Sequence, residues 1–312
     1  MLSFYQKSVQ DGYFTPISSP EPAAWIHAEM ADSKDLQFIC DLIKFQVSDL
    51  TDALDYHELP RVDLVQDCLI FFARYPTDPQ NETSPGHLHT LPLTILLAPP
   101  YFITISPSKS PLIQEILQKK DSIHLPYTPS KILLLILKRI ANEFSAQIKR
   151  VRNSVMTQGK EMNAVDSEDI FRLTEQEEIL NQYLSSLIHF NRSLDHLGKI
   201  NNTLFHKKEH KELYETIISI KQSDNICSFL IKNIRSLRDS YQIIFANKLT
   251  RTIKLLTALT ILFSVPTMIA SIYGMNVSLP FASKEYAFSG LLIFMFISSL
   301  LCGYWFYRKK WM

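Results

Sequence analysis

Two apolar stretches near the C-terminal end, Leu255 to Ile272 and Tyr286 to Tyr307, contain no Asp, Glu, Lys, Arg or His. At a rise of about 1.5 Å per residue, against a hydrocarbon core about 30 Å thick, each is long enough to cross a bilayer as a helix. The rest of the 312-residue chain precedes them and is large enough to bury a core of its own. Met1 to Gln10 lacks an apolar run behind basic residues, so the N-terminal mass is expected to stay on the side where the chain is made.

Charge fixes the expected orientation. Lys248, Arg251 and Lys254 precede the first stretch, and Arg308, Lys309 and Lys310 follow the second. The link from Asn276 to Glu285 carries only Lys284 and Glu285. By the positive-inside rule both termini are cytoplasmic, and Tyr273-Gly274-Met275-Asn276 faces outward. Cys40, Cys68, Cys227 and Cys302 form no CxxC pair, as expected of thiols in a reducing compartment. A net charge of +1 implies neither a nucleic-acid partner nor a strongly acidic one.

The pattern predicts three regions. Residues 1–127 mix β-rich runs (Ala24 to His27, Val62 to Tyr75, Thr94 to Ile105) with a helix over Asp35 to Phe45, which reads as an α/β domain. Asp78 to Gly86 reads as a solvated turn. Residues 128–250 are helical: apolar residues at spacings of three and four predict one helix over Ser130 to Gln158, and a second follows over about Ser167 to Leu197. From Lys199 to Val265 there is neither Gly nor Pro, and an apolar seam runs from Leu213 through Ile220, Cys227, Leu230 and Ile234 to Tyr241 and Ile244. The spacing predicts a helix from about Ser223 to Tyr273, on the order of 75 Å long, that continues into the membrane. Such a seam suits a stalk that packs against neighbours, including copies of itself; the other reading is a core helix buried by its own chain. Residues 251–312 form the membrane domain: a helix over about 253–273, an outer link over 274–285, a helix over about 286–307 and a basic cytoplasmic tail. The fold class is therefore α+β, with a long helical stalk leading into the first of two membrane helices.

Within the first span Thr257, Thr260, Ser264, Thr267 and Ser271 recur at spacings of three and four, which places their hydroxyls on one helix face. Small hydroxyl residues let helices pack closely, and they also line water-filled pores, which a two-helix chain forms only by symmetric assembly. The spacing leaves both readings open. Neither span holds a carboxylate, which a proton-coupled pump or a carrier that strips its ion usually needs. At the outer mouth Asn276 offers a neutral oxygen, suited to the water shell of Mg²⁺, an ion that dehydrates reluctantly. Gly274 permits close backbone approach there, and a helix C-cap is the other role open to Asn276.

The Gly274-Met275-Asn276 triplet after Tyr273, at the end of the first of two C-terminal spans, resembles the signature of the CorA family of magnesium transporters. The resemblance extends through Ile253-Lys254-Leu255-Leu256-Thr257, Pro266-Thr267 and the basic ending Arg308 to Met312, and to Glu58-Leu59-Pro60-Arg61-Val62-Asp63 near the N-terminus. It implies a homopentameric funnel in the cell membrane that moves hydrated Mg²⁺, or Co²⁺, and needs no organic cofactor. It puts Asn276 at a selectivity ring with Gly274 and Met275 beside it. Ile253 and Leu256 fall at inner constrictions, and Thr260, Ser264, Thr267 and Ser271 along the path. Two residues depart from the pattern: Thr250 stands where many members carry asparagine, and Ser264 where an apolar gate residue is common. The resemblance also implies closure by internal Mg²⁺ at acidic sites between subunits, for which Asp78 and Glu215 are the candidates.

His206-Lys207-Lys208-Glu209-His210 matches the inverted zinc-peptidase pattern H-x-x-E-H. A catalytic zinc needs a third protein ligand, and the surrounding lysines read as a solvated helix start. His87 and His89 read as strand or turn residues. The expectation is a channel-like transporter and not an enzyme, with membrane lipid, divalent cations and copies of itself as partners. Proton-coupled Zn²⁺ transport and a membrane-anchored receptor or scaffold are the rival readings.

Overall fold

A computed structural model describes residues 1–7, 14–66, 68–77, 88–118, 128–158, 167–200, 205–277 and 286–311. The chain divides into two compact units, one of Met1–Met162 with Phe171–Leu237 and the other of Asn163–Ile170 with Arg238–Met312.

The first unit is built on a seven-stranded sheet: β1 (Leu2–Lys7), β2 (Phe14–Ile17), β3 (Trp25–Glu29), β4 (Arg61–Val65), β5 (Cys68–Pro76), β6 (Thr90–Ala98) and β7 (Tyr101–Ser106), in the order β2-β1-β3-β7-β6-β5-β4. Every pairing is antiparallel except β3 with β7. Two of the β-rich runs turn out to be hairpins. Val62 to Tyr75 folds back at Gln66, whose φ is 48°, and Thr94 to Ile105 folds back at Pro99-Pro100, a cis peptide. Nearly all of β5 and all of β6 are buried, which explains why they are mostly apolar without alternation: both faces are covered.

One face carries α1 (Ser33–Ile43), whose Leu36, Ile39 and Cys40 join Ile26, Ile70, Phe72 and Leu96 in one core. Asp32 caps this helix: its Oδ1 accepts from the backbone N–H of Lys34 and Asp35 at 2.9 Å, and Asp35 reaches back to the Asp32 N–H. Lys44, left-handed at φ 60°, ends it. The other face meets long helices, with Phe71 of β5 edge-on to Phe190 at 5.8 Å. These helices are α3 (Pro129–Gln158) and α4 (Ser167–Ile200), against which the first part of α5 (Lys207–Tyr273) packs in turn, while the short α2 (Pro111–Gln118) packs on α3.

Buried polar groups lock the sheet. Arg74 donates to the carbonyls of Tyr56, Glu58 and Thr90 and to Thr90 Oγ1, at 2.6 to 2.9 Å. Thr104 Oγ1 accepts from Trp25 Nε1 at 2.8 Å and contacts His27 Nδ1 at 2.9 Å. Burial holds His27 down to about 4. In the Glu58 to Asp63 turn, the Arg61 guanidinium lies 4.0 Å over the Phe72 ring and pairs with Asp52, Glu58 and Asp63.

The seam on α5 is covered by its own chain. Leu213, Ile220, Cys227, Leu230 and Ile234 are buried, Ser145 Oγ of α3 lies 2.8 Å from Ser223 Oγ, and Cys227 Sγ contacts the Leu180 carbonyl at 3.2 Å. Of the two readings of the seam, burial by its own chain holds for this part of the stalk: α3 and α4 fold back on it, because their own apolar stripes need the same cover. The helix also begins at Lys207, well before Ser223, since Glu209 caps its first turn.

In the second unit, the C-terminal part of α5 packs beside α6 (Ala287–Arg308). Both helices are long and apolar enough to cross a membrane, and few of their side chains are buried.

Candidate ion path and outer-mouth residues

In α5, Leu262 Cδ1 lies 3.8 Å from where a Cβ on Gly303 of α6 would stand. One groove between the helices is lined by Ile269 and Tyr273 with Tyr286 to Phe294, and another by Leu262 with Phe296 to Tyr307. Moving up α5 therefore moves back along α6, and the pair is antiparallel. At about 100° per residue, Leu262, Ile269 and Tyr273 share one face of α5, and buried Ala258 lies on it too. Thr257, Thr260, Ser264, Thr267 and Ser271 fall on the opposite face, together with Ile253 and Leu256. All seven are exposed; Ile253 is 54% and Leu256 65% exposed. The face away from α6 is thus a hydroxyl stripe with two large apolar residues at its inner end.

The hydroxyls are held by the helix itself. Thr260 Oγ1 donates to the Leu256 carbonyl at 2.9 Å, Ser264 Oγ to Thr260 at 2.7 Å and Thr267 Oγ1 to Phe263 at 2.8 Å. Thr250 Oγ1 does the same to Ala246 at 2.8 Å. The helix continues through Pro266 and ends at Tyr273. There Gly274 N donates to the carbonyls of Ala270 and Ser271, and Met275 N to Ile272. The backbone alone closes the helix, so Asn276 is not its cap. The Asn276 side chain is exposed and has no hydrogen-bond partner among the described residues. A Cβ on Gly274 would meet Ala270 O and Ser271 O at 3.5 Å, ordinary contact, so the chain's own packing does not demand glycine there.

Of the two regulatory candidates, only Glu215 falls among the described residues. Asp78 lies outside the described residues, as does His87, while Glu215 is an exposed residue 3.9 Å from Lys211 Nζ one turn earlier. His89 donates its backbone N–H to Gln182 Oε1 at 2.9 Å. In the peptidase-like motif Glu209 is 1% exposed; it accepts from Thr128 Oγ1, Ser130 Oγ and the His206 N–H, while His210 packs on Phe205. Among the described residues no three His, Cys, Asp or Glu side chains gather where they could hold a metal. Sequence reasoning missed Glu209 as a cap; the signal was there in its place three residues after His206, at the start of a helix.

The model of one family, the CorA-like Mg²⁺ transporter protein, matches residues 21–308. The chain belongs to this family. As a CorA-family member it is a divalent metal cation transporter of the membrane, with a cytoplasmic N-terminal domain and two C-terminal spans. The cobalt/magnesium transport protein CorA of Methanocaldococcus jannaschii is 26% identical over 294 residues, covering 92% of this chain and 90% of that protein. The magnesium transport protein CorA of Wolinella succinogenes is 34% identical over 100 residues, 30% of this chain and 31% of that one. Among solved structures, the complete CorA of M. jannaschii aligns with a TM-score of 0.79 at 21% identity, covering 100% of this chain and 99% of that one. The cytoplasmic domain of ZntB from Vibrio parahaemolyticus aligns with a TM-score of 0.64 at 13% identity, over 78% and 98%. At these identities the structural likeness establishes a CorA fold.

Proposed function

We propose that five copies of the chain surround a pore through which hydrated Mg²⁺, and Co²⁺ with it, enters the cell down its electrochemical gradient. The observation that carries this reading is the exposed hydroxyl stripe on the face of α5 turned away from α6, in a chain with no intramembrane carboxylate. Polar side chains in a span face protein or water, and a single helix pair offers no water. Assembly about an axis supplies it. The relatives, a cobalt/magnesium and a magnesium transport protein, support the choice of ion.

In this mechanism a ring of Asn276 side chains holds the cation through its water shell, with Gly274 and Met275 beside it. The hydrated ion then passes Ser271, Thr267, Ser264 and Thr260. Leu256 and Ile253 form an apolar constriction that opposes hydrated ions when narrow, and Thr250 stands at the inner mouth. Internal Mg²⁺, binding between subunits near Asp78 and Glu215, closes the path. The working parts are then residues 1–127 and 128–250 as sensor and stalk and 251–312 as conduit.

Purified protein in liposomes tests this directly, with flux of Mg²⁺, Co²⁺ and Zn²⁺ followed with and without a pH gradient. Mg²⁺ and Co²⁺ flux that needs no pH gradient is expected. Zn²⁺ flux that requires one would replace this reading with proton-coupled zinc transport, and no flux of any ion would leave a membrane-anchored scaffold.

A further inference from the structure

The groove between α5 and α6 lined by Leu262, Phe296, Leu300, Gly303, Tyr304 and Tyr307 has a volume of about 420 Å³. Its wall is apolar apart from the tyrosine hydroxyls and Ser299, and Gly303 leaves its floor without a side chain. Because the helices are antiparallel, the Tyr307 end points to the cytoplasmic side. About 12 Å below Leu262 along α5 is Lys254, and about 8 Å beyond Gly303 along α6 is Arg308. Lys254, Arg308, Lys309 and Lys310 therefore lie just below the groove, with Arg251 and Lys248 about 5 and 9 Å further along α5. All six are exposed, and none makes an ion pair among the described residues. The two described stretches of this region, residues 241–277 and 286–311, contain no Asp or Glu.

The end of α6 is also anchored. Lys310 turns left-handed at φ 57°, Trp311 N donates to the Phe306 carbonyl at 3.1 Å, and the Trp311 ring stacks on Phe306 at 5.5 Å and 28°. The tail folds back at the level where tryptophan prefers to sit, the membrane interface.

The geometry points to a site for an anionic phospholipid of the inner leaflet, with one acyl chain in the Leu262–Gly303 groove and the headgroup phosphate among the cations below it. Charge decides for this occupant over a second copy of the chain. Another copy brings the same six cations and no carboxylate in these stretches, so the assembly proposed above gathers positive charge at this layer without compensating it, whereas an anionic headgroup neutralises it. A zwitterionic lipid fills the groove equally well but leaves the cations uncompensated. The inference stands apart from the ion path, since it uses the side of α5 that meets α6.

The test uses full-length protein in mild detergent, offered equal amounts of phosphatidylglycerol and phosphatidylcholine with matched chains, with retained lipid counted by native mass spectrometry. Phosphatidylglycerol is expected to be retained in preference. The triple variant Arg308→Gln, Lys309→Gln, Lys310→Gln is expected to weaken its retention about fivefold for each cation removed. Gly303→Leu is expected to lower retention of both lipids by filling the groove, and Leu300→Trp, at an exposed position, does so without touching the Leu262–Gly303 contact. Equal retention of the two lipids by the unaltered chain, or an unchanged preference in the triple variant, overturns the site. So does soluble glycerol phosphate competing as well as the lipid, which marks a free phosphate site. Efficient disulfide cross-linking between chains through Ser299→Cys gives the groove to a second copy instead.

Discussion

Glu209 Oε1, in the first turn of α5, lies 3.2 Å from Ser130 Oγ, in the first turn of α3. The same carboxylate takes the Thr128 hydroxyl, and its other oxygen the His206 N–H at 2.8 Å, so one buried side chain starts α5 and ties it to α3. Glu209→Ala is expected to lower stability by about 1–3 kcal/mol, a lost cap plus orphaned hydroxyls. Denaturant unfolding of the full-length protein measures this, and Glu209→Gln should recover part of the loss.

Asn276→Ala should abolish Mg²⁺ uptake while leaving assembly intact, because the exposed side chain supports nothing in its own chain. Uptake in liposomes and particle size in detergent read the two effects. Normal uptake would refute the selectivity ring.

Gly274→Ala separates fold from function in the same stretch. With only ordinary 3.5 Å contacts awaiting the new methyl, thermal stability should stay within about 0.5 kcal/mol of the parent. Mg²⁺ flux should fall if the glycine serves approach by an ion or another copy.

Leu256→Ser, with or without Ile253→Ser, places hydroxyls where the path is proposed to be driest. Flux should rise, and a higher internal Mg²⁺ concentration should be needed to stop it. A dose–response of flux against internal Mg²⁺ measures the shift, and an unchanged curve removes these two residues from the gate.

His27 makes stability depend on acid. Folded, it remains neutral down to about 4, because burial disfavours the charged ring; unfolded, it takes up a proton near its ordinary 6.5. Unfolding therefore binds a proton between those values. Stability contributed by His27 is intact above about pH 6.5 and declines as the pH drops toward 4, by up to about 3 kcal/mol. His27→Gln should flatten the slope of unfolding temperature against pH over that window, and an equal slope would show that other groups carry it.

Much of this architecture was legible because it rests on periodicity. The two uncharged runs, the spacings of three and four in α3, and the basic flanks each follow from one physical rule applied to neighbouring residues. The hairpin at Gln66 was not legible, because Asp63 to Cys68 carries neither Gly nor Pro and the turn is made by a non-glycine residue at positive φ. Arg74 sits within a β-rich run with nothing beside it in sequence to mark its partners, and its four acceptors come from Tyr56, Glu58 and Thr90, a convergence set by tertiary folding alone. The cover over the α5 seam was ambiguous for the same reason: an apolar stripe shows that something packs there, and not what. At the outer mouth the triplet marked the place, while the finding that Asn276 is free of capping needed the backbone bonds of Gly274 and Met275.

The way Thr260, Ser264 and Thr267 bond to their own helix has an electrical consequence. Each hydroxyl hydrogen is directed at a carbonyl one turn back, so what the side chain turns outward is oxygen lone pairs. A column of such groups welcomes the hydrogens of water bound to a cation and offers an anion no donor. In the proposed pore such a wall would discriminate the sign of a passing ion while carrying no formal charge, and so without any group whose protonation would make that choice depend on pH.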